Sequence, residues 1–201
     1  VQQRFNASSP VRGTLLRNML LPAGSKVSAA FGFRPVFEAD LLVRIADSAV
    51  NTATTTAEVA AAIDRVIPFI ELPDLAVSDP AALDRAAITA INVGARLGVT
   101  GEPMAVGPAQ PIDQLLRTMT VTVRSNGAVL DEGAGVDVLG DPLRAVLWVA
   151  GDLARHGGNL KVGDLVSLGA FSRLSRPSPG QTVEVEYRGL PGNPTVSVEF
   201  E

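Results

Sequence analysis

The chain has 201 residues, a formal net charge of −4 and no cysteine. Disulfides, thiol nucleophiles and thiolate metal sites are therefore excluded, and the absence of clustered Lys and Arg argues against a nucleic-acid partner. Hydrophobic residues at 46% and charged residues at 19% describe an ordinary globular chain, and no apolar run reaches the roughly 18 residues of a membrane span.

The chain opens on Val1 rather than Met, so a segment upstream is expected to have been removed or left out. Residues Val1 to Leu21 carry little regular pattern. Pro22-Ala23-Gly24 reads as a turn before a short strand near Ser25 to Ala29. The stretch Val36 to Ile45 alternates, which predicts a strand with Phe37, Ala39, Leu41, Val43 and Ile45 on one face. Glu38 and Asp40 share the other face, their α-carbons roughly 6.6 Å apart. Thr55-Thr56-Ala57-Glu58 reads as a capping box. The helix it opens is expected to run through Val59, Ala62, Ile63 and Val66 and to end at Pro68. Phe69-Ile70-Glu71-Leu72 then reads as a buried strand, and Glu71 can supply a third carboxylate.

A helix-like stretch is expected from Pro80 to Ala87, followed by an apolar run from Ile88 to Val99. Pro103, Pro108 and Pro111 mark a loop region. Met119 to Arg124 alternates as a strand, Asn126-Gly127 signals a hairpin, and Ala128-Val129-Leu130 returns. The clearest helix spans Pro142 to His156. Asp141 is its expected N-cap, Leu143, Val146, Leu147, Ala150, Leu153 and Ala154 its buried stripe, and Gly157-Gly158 its stop. Strands near Asp164 to Leu168, Thr182 to Arg188 and Thr195 to Phe200 complete the chain. Strands outnumber helices, so a mixed, β-rich α+β domain with mainly antiparallel pairing is expected.

The acidic strand followed by Ile70-Glu71-Leu72-Pro73-Asp74 resembles the metal site of the fumarylacetoacetate hydrolase superfamily. Gly133-Ala134-Gly135, Leu139-Gly140-Asp141-Pro142, Trp148-Val149-Ala150, Gly163-Asp164, Leu168-Gly169-Ala170-Phe171 and Pro179-Gly180 resemble its 2-keto-4-pentenoate hydratase and 2-oxo acid decarboxylase branch. That resemblance implies a mixed-sheet roll or barrel with a few packing helices. It implies residues 36–201 as the catalytic domain and 1–35 as an arm or lid left from a longer N-terminal region. It also implies a segment before Val1 carrying a Lys-x-Gly-Leu-Thr-like motif, part of the active-site wall. The branch usually has Glu where Asp40 stands, so an ion would sit closer to the strand or be reached through a water.

Three carboxylates without Cys or a nearby His select Mg²⁺ or Mn²⁺, with Ca²⁺ a further candidate. The ligands expected are Glu38, Asp40 and Glu71; a solvated strand face continued by Arg44 is the plainer alternative. The resemblance implies a short unsaturated 2-oxo acid as substrate, hydrated through a metal-stabilised enolate in bacterial breakdown of aromatic compounds. A 2-oxo diacid decarboxylase and a non-catalytic binding homologue are the alternatives. Asn92, Gly169 and Phe171 are the candidate substrate-binding positions. Glu71 is the candidate to move a proton, and the remaining base is unassigned. Asp74 reads as a loop residue, and Lys26 and Lys161 as surface charges. His156 suits the end of its helix, and the lack of a His near the site counts against carbon–carbon hydrolysis. A homo-oligomer in the cytoplasm is expected, with the periplasm as alternative were a secretion signal to precede Val1.

Overall fold

The computed structural model describes residues 9–79, 83–107 and 110–201. Val1-Gln2-Gln3-Arg4-Phe5, Pro108 and the first three residues of the Pro80–Ala87 stretch lie outside them.

The alternating acidic stretch forms β3 (Glu38–Ile45), an inner strand of the first sheet. Its neighbours are β4 (Ile63–Leu72) and β9 (Leu165–Ser167), and β5 (Leu97–Thr100) and β1 (Leu20–Pro22) lie beyond β4. A two-residue β6 (Met104–Ala105) also pairs with β4. The second sheet runs β2 (Ser25–Val27), β11 (Thr195–Phe200), β10 (Gln181–Arg188), β7 (Thr120–Ser125) and β8 (Ala128–Ala134). β1 joins β5 and β2 joins β11 in parallel; the other ladders are antiparallel. Thus residues 20–27 add one strand to each sheet. Among the described residues four α-helices accompany the sheets: α1 (Thr56–Ala61), α2 (Arg85–Ala90), α3 (Ile112–Thr118) and the longer α4 (Arg144–Arg155). The fold is mixed α+β with two mixed sheets, as the strand count implies. Among the described residues no helix is long and apolar enough to cross a membrane.

Alternation decides where the core lies. Phe37, Ala39, Leu41, Val43 and Ile45 enter the main core with Val183, Val185, Tyr187, Val198 and Phe200 of the second sheet. The rings of Phe37 and Phe200 meet at 5.6 Å. Fully burying such side chains stabilises by about 1.5–3 kcal/mol each, which locks the strand's orientation. The opposite face of β3 and β4 carries Leu42, Ile67 and Phe69 in a small cluster covered by Leu15 and Leu20.

The helix expected to continue through Val66 stops at Ala61. Its start is as expected: Thr55 accepts from the Glu58 N–H while Glu58 accepts from the Thr55 N–H. From Ile63 onward the β-branched run pairs with β3, and cross-sheet burial overrides the ambiguous apolar spacing. Pro68 lies inside this strand rather than ending a helix. Its carbonyl accepts from Gly101, just past the end of β5, so the proline nitrogen faces a position where no ladder bond is required. The region marked by prolines holds α3, which opens directly after Pro111 and was not foreseen.

The long helix begins at Arg144, two residues later than expected, because the Asp141 carboxylate accepts from Leu143 in a turn ahead of it. Leu143, Val146 and Ala150 are buried, whereas Ala154 is exposed. Gly157 takes φ +74° and Gly158 donates to Leu153, closing the helix end. The Asn126-Gly127 hairpin forms with both residues at positive φ, 48° and 82°.

Candidate metal centre

The antiparallel register of β3 and β4 sets Glu71 directly opposite Glu38, and Phe69 opposite Asp40. Side chains so opposed lie close enough to interact. All three carboxylates therefore occupy the face turned away from the main core. Glu38 is 6% exposed and Asp40 0%, while Glu71 is half-buried.

Glu71 is pushed well above the usual carboxylate range, first by burial, then by the charges of Glu38 and Asp40 and by a hydrogen bond shared with Glu38. Two carboxylates in such contact need a proton or a cation between them. Asp40 and Glu71 form no ion pair among the described residues. The donor set is all oxygen and dense in negative charge, which fits a hard divalent cation. Yet no three His, Cys, Asp or Glu side chains among the described residues converge tightly enough to ligate one ion directly.

Asp40 is engaged by its own neighbours. Burial raises its carboxyl to about 6, against the opposing pull of Ser167, Leu41, Gly169 and Leu168. One oxygen accepts from the Leu41 N–H at 2.5 Å and the Gly169 N–H at 3.0 Å; the other accepts from the Ser167 hydroxyl. Ser167 is held in place by the β3–β9 ladder, opposite Leu42.

Two further residues shape the centre and were not singled out from the sequence. Tyr187 of β10 is wholly buried, and its hydroxyl reaches across the core to the Asp40 carbonyl at 2.5 Å and the Phe69 carbonyl at 2.9 Å. The signal for it was an aromatic hydroxyl at an inward strand position, where it must find a partner. Gly98 of β5 lies beneath the Phe69 ring; a Cβ there would fall 2.2 Å from it. An isolated glycine within a strand pattern is the corresponding signal.

The other candidates are placed as follows. The Asn92 amide bonds the Thr14 backbone on both sides, accepting at 2.8 Å and donating at 2.9 Å, and so fastens the N-terminal segment. Gly169, at φ +102°, spends its N–H on Asp40. Phe171 is buried in the main core and its N–H bonds the Ala39 carbonyl. Asp74 accepts from the Phe33 and Arg34 N–H groups, shaping the turn before β3. Lys26 pairs with Glu199, and His156 bonds the Asp152 carbonyl at the end of α4.

No protein-family model matches the chain. It is 30% identical over 187 residues to the 4-oxalocrotonate decarboxylase of Pseudomonas putida, covering 93% of this chain and 69% of that protein. The chain belongs to this family. A 2-keto-4-pentenoate hydratase of Paraburkholderia xenovorans is 26% identical over 201 residues, covering all of this chain and 72% of its own length. Among solved structures, 4-oxalocrotonate decarboxylase from Pseudomonas putida G7, complexed with magnesium and adipate, superposes with a TM-score of 0.85 at 27% identity. It is matched by 100% of this chain over 73% of its length. These relatives place the chain among the decarboxylases and hydratases that its residues resemble.

Proposed function

We propose that the chain is a hydro-lyase that adds water to a short unsaturated 2-oxo acid of the 2-oxopent-4-enoate type, using a divalent cation held at Glu38, Asp40 and Glu71. The observation that carries this reading is the opposed Glu38–Glu71 pair, with Asp40 beside it, in a chain of this family. A bound Mg²⁺ or Mn²⁺ would supply Lewis-acid stabilisation for the negative charge that develops on a 2-oxo acid when its neighbouring carbon loses a proton. The protein's part is to hold the oxygen donors on a rigid strand pair and to keep them half-dry. Half-burial strengthens their pull on a cation. Glu71, whose proton burial and its acidic neighbours hold more tightly than an ordinary carboxyl does, is the proposed proton carrier. Substrate contacts by Asn92, Gly169 and Phe171 belong to the same proposal; for Asn92 they would require release of Thr14. The expected setting is bacterial breakdown of aromatic compounds, in a homo-oligomer.

A decarboxylase acting on a 2-oxo diacid is the second reading, favoured by the 30% identity to a 4-oxalocrotonate decarboxylase. Product analysis separates the two. With Mg²⁺ present, the protein is incubated with 2-oxopent-4-enoate and, separately, with 4-oxalocrotonate. Formation of a 4-hydroxy-2-oxo acid from the first supports hydration. Release of carbon dioxide from the second, without hydration of the first, replaces it with decarboxylation. Turnover of neither removes both and leaves a non-catalytic binding protein.

A further inference from the structure

We infer that Phe33 and the hollow beside it form a contact between two copies of this chain, the Phe33 ring of each copy seated in the hollow of the other; this rests on the homo-oligomer reading above. Phe33 is the most exposed of the large hydrophobic side chains among the described residues, at 68%. Its loop does not leave it loose. The Asp74 carboxylate accepts from the Phe33 N–H at 3.0 Å and from the Arg34 N–H at 2.7 Å. The Leu75 N–H donates to the Arg34 carbonyl, and the Val36 N–H to the Pro73 carbonyl. Gly32 lies against the same carboxylate, where a Cβ would fall 2.4 Å from Asp74. An apolar ring fixed in this way has already lost much of the freedom that binding would cost it. Single exposed apolar residues are ordinary. What sets Phe33 apart is the hollow next to it.

That hollow holds about 300 Å³ and is walled by Phe33, Arg34, Pro35, Arg176 and Pro177. A cavity of about 150 Å³ already accepts a benzene ring, so a second phenyl ring has room. Both walls are fastened to the segment just ahead of β3. Pro35 bridges to Asp74, and Arg176 follows Ser175, which exchanges two backbone bonds with Phe37 at 2.8 and 3.0 Å. Neither Arg34 nor Arg176 joins an ion pair among the described residues. The Arg34 guanidinium already lies 5.9 Å from the ring centre of Phe33 in its own chain. Cations so placed attract the face of an aromatic ring, so the hollow suits a ring in charge as well as in size. A two-fold contact uses one patch twice and therefore needs a patch that complements itself. A projecting ring beside a matching hollow is such a patch. A small ligand in the hollow would leave the outer part of the Phe33 ring in water; a second copy covers ring and hollow together. Aromatic anchors seated in pockets carry much of the energy of such contacts.

The test is sedimentation velocity of the whole chain over a concentration series. Wild type is expected to associate, and Phe33→Ala to weaken that association by more than about 100-fold, since the loss counts twice across the axis. Phe33 lies outside the core, so the variant should fold as wild type does, checked by circular dichroism. Arg176→Gln removes one cation from each hollow and is expected to cost about 10-fold. A mixing arm separates a seated ring from one that is merely nearby. Pro177→Trp fills the hollow and is expected to weaken self-association as Phe33→Ala does. Mixed one to one, these two variants should associate more tightly than either alone, because the ring of one copy then meets the open hollow of the other. Association of Phe33→Ala within about 3-fold of wild type, or no gain on mixing, overturns the inference and leaves the homo-oligomer reading standing. A wild type that stays monomeric at about 100 μM removes the homo-oligomer reading itself, and this contact with it.

Discussion

Asp40 shows how far a single side chain can be taken from its ordinary behaviour. Burial lifts its carboxyl from 3.8 to about 6, although hydrogen bonds from Ser167, Leu41, Gly169 and Leu168 oppose the rise. The folded state therefore holds the Asp40 proton more tightly than the unfolded chain does. Its contribution to stability is fully present below the unfolded value and is lost as pH rises toward about 6. The gap corresponds to on the order of 3 kcal/mol. In chelator-treated protein, the stability of wild type relative to Asp40→Asn should fall between about pH 4 and pH 7, read from urea midpoints at each pH. A flat difference would show that Asp40 is ionised throughout. Glu38 and Asp40 were legible as a pair because strand periodicity puts alternate residues on one face. That Asp40 would be clasped by Ser167, 127 residues further along the chain, was not legible, because no local pattern encodes that contact.

At the scale of elements, the register of β3 against β4 makes the candidate centre. Pairing Glu38 with Glu71 follows from burying Phe37, Ala39 and Leu41 on one side, since a slip by one residue would turn every side chain of β3 to the wrong face. The sequence pattern implied both strands but drew β4 too short. Val59, Ala62, Ile63 and Val66 match a helical spacing, and only pairing with β3 resolves that ambiguity. Pro68 misled for the same reason: its missing N–H matters only where a neighbour needs a donor. β5 is fitted to the centre through Gly98, on which the Phe69 ring rests. Gly98→Ala puts a methyl 2.2 Å from that ring and should cost about 1–3 kcal/mol of overpacking, measured by urea unfolding. It should also weaken divalent-cation binding, because Phe69 lies two residues from Glu71 on the same face of β4. Wild-type stability in this variant would show that Phe69 has room to move.

Across the whole molecule, Tyr187 ties the two sheets together directly behind the carboxylates. Its hydroxyl lies between the backbones of β3 and β4, and with one proton it donates to one carbonyl at a time. Burial raises its pKa well above the ordinary value of 10.0, so it stays a neutral donor. Tyr187→Phe should destabilise by about 1–3 kcal/mol, since buried carbonyls would lose their donor. Denaturant unfolding measures this, and a change within error would show that water or the ladder replaces the hydroxyl. Alternation and the capping box, turn and hairpin signals determined the β-rich α+β class, most strands and the acidic face. Each of these depends on residues a few positions apart. Tertiary structure decided that Glu71 faces Glu38, that Asp40 is claimed by β9, and that a tyrosine 147 residues away holds its backbone. Those contacts join segments distant in the chain, and they form only when burial of the two inner sheet faces brings them together.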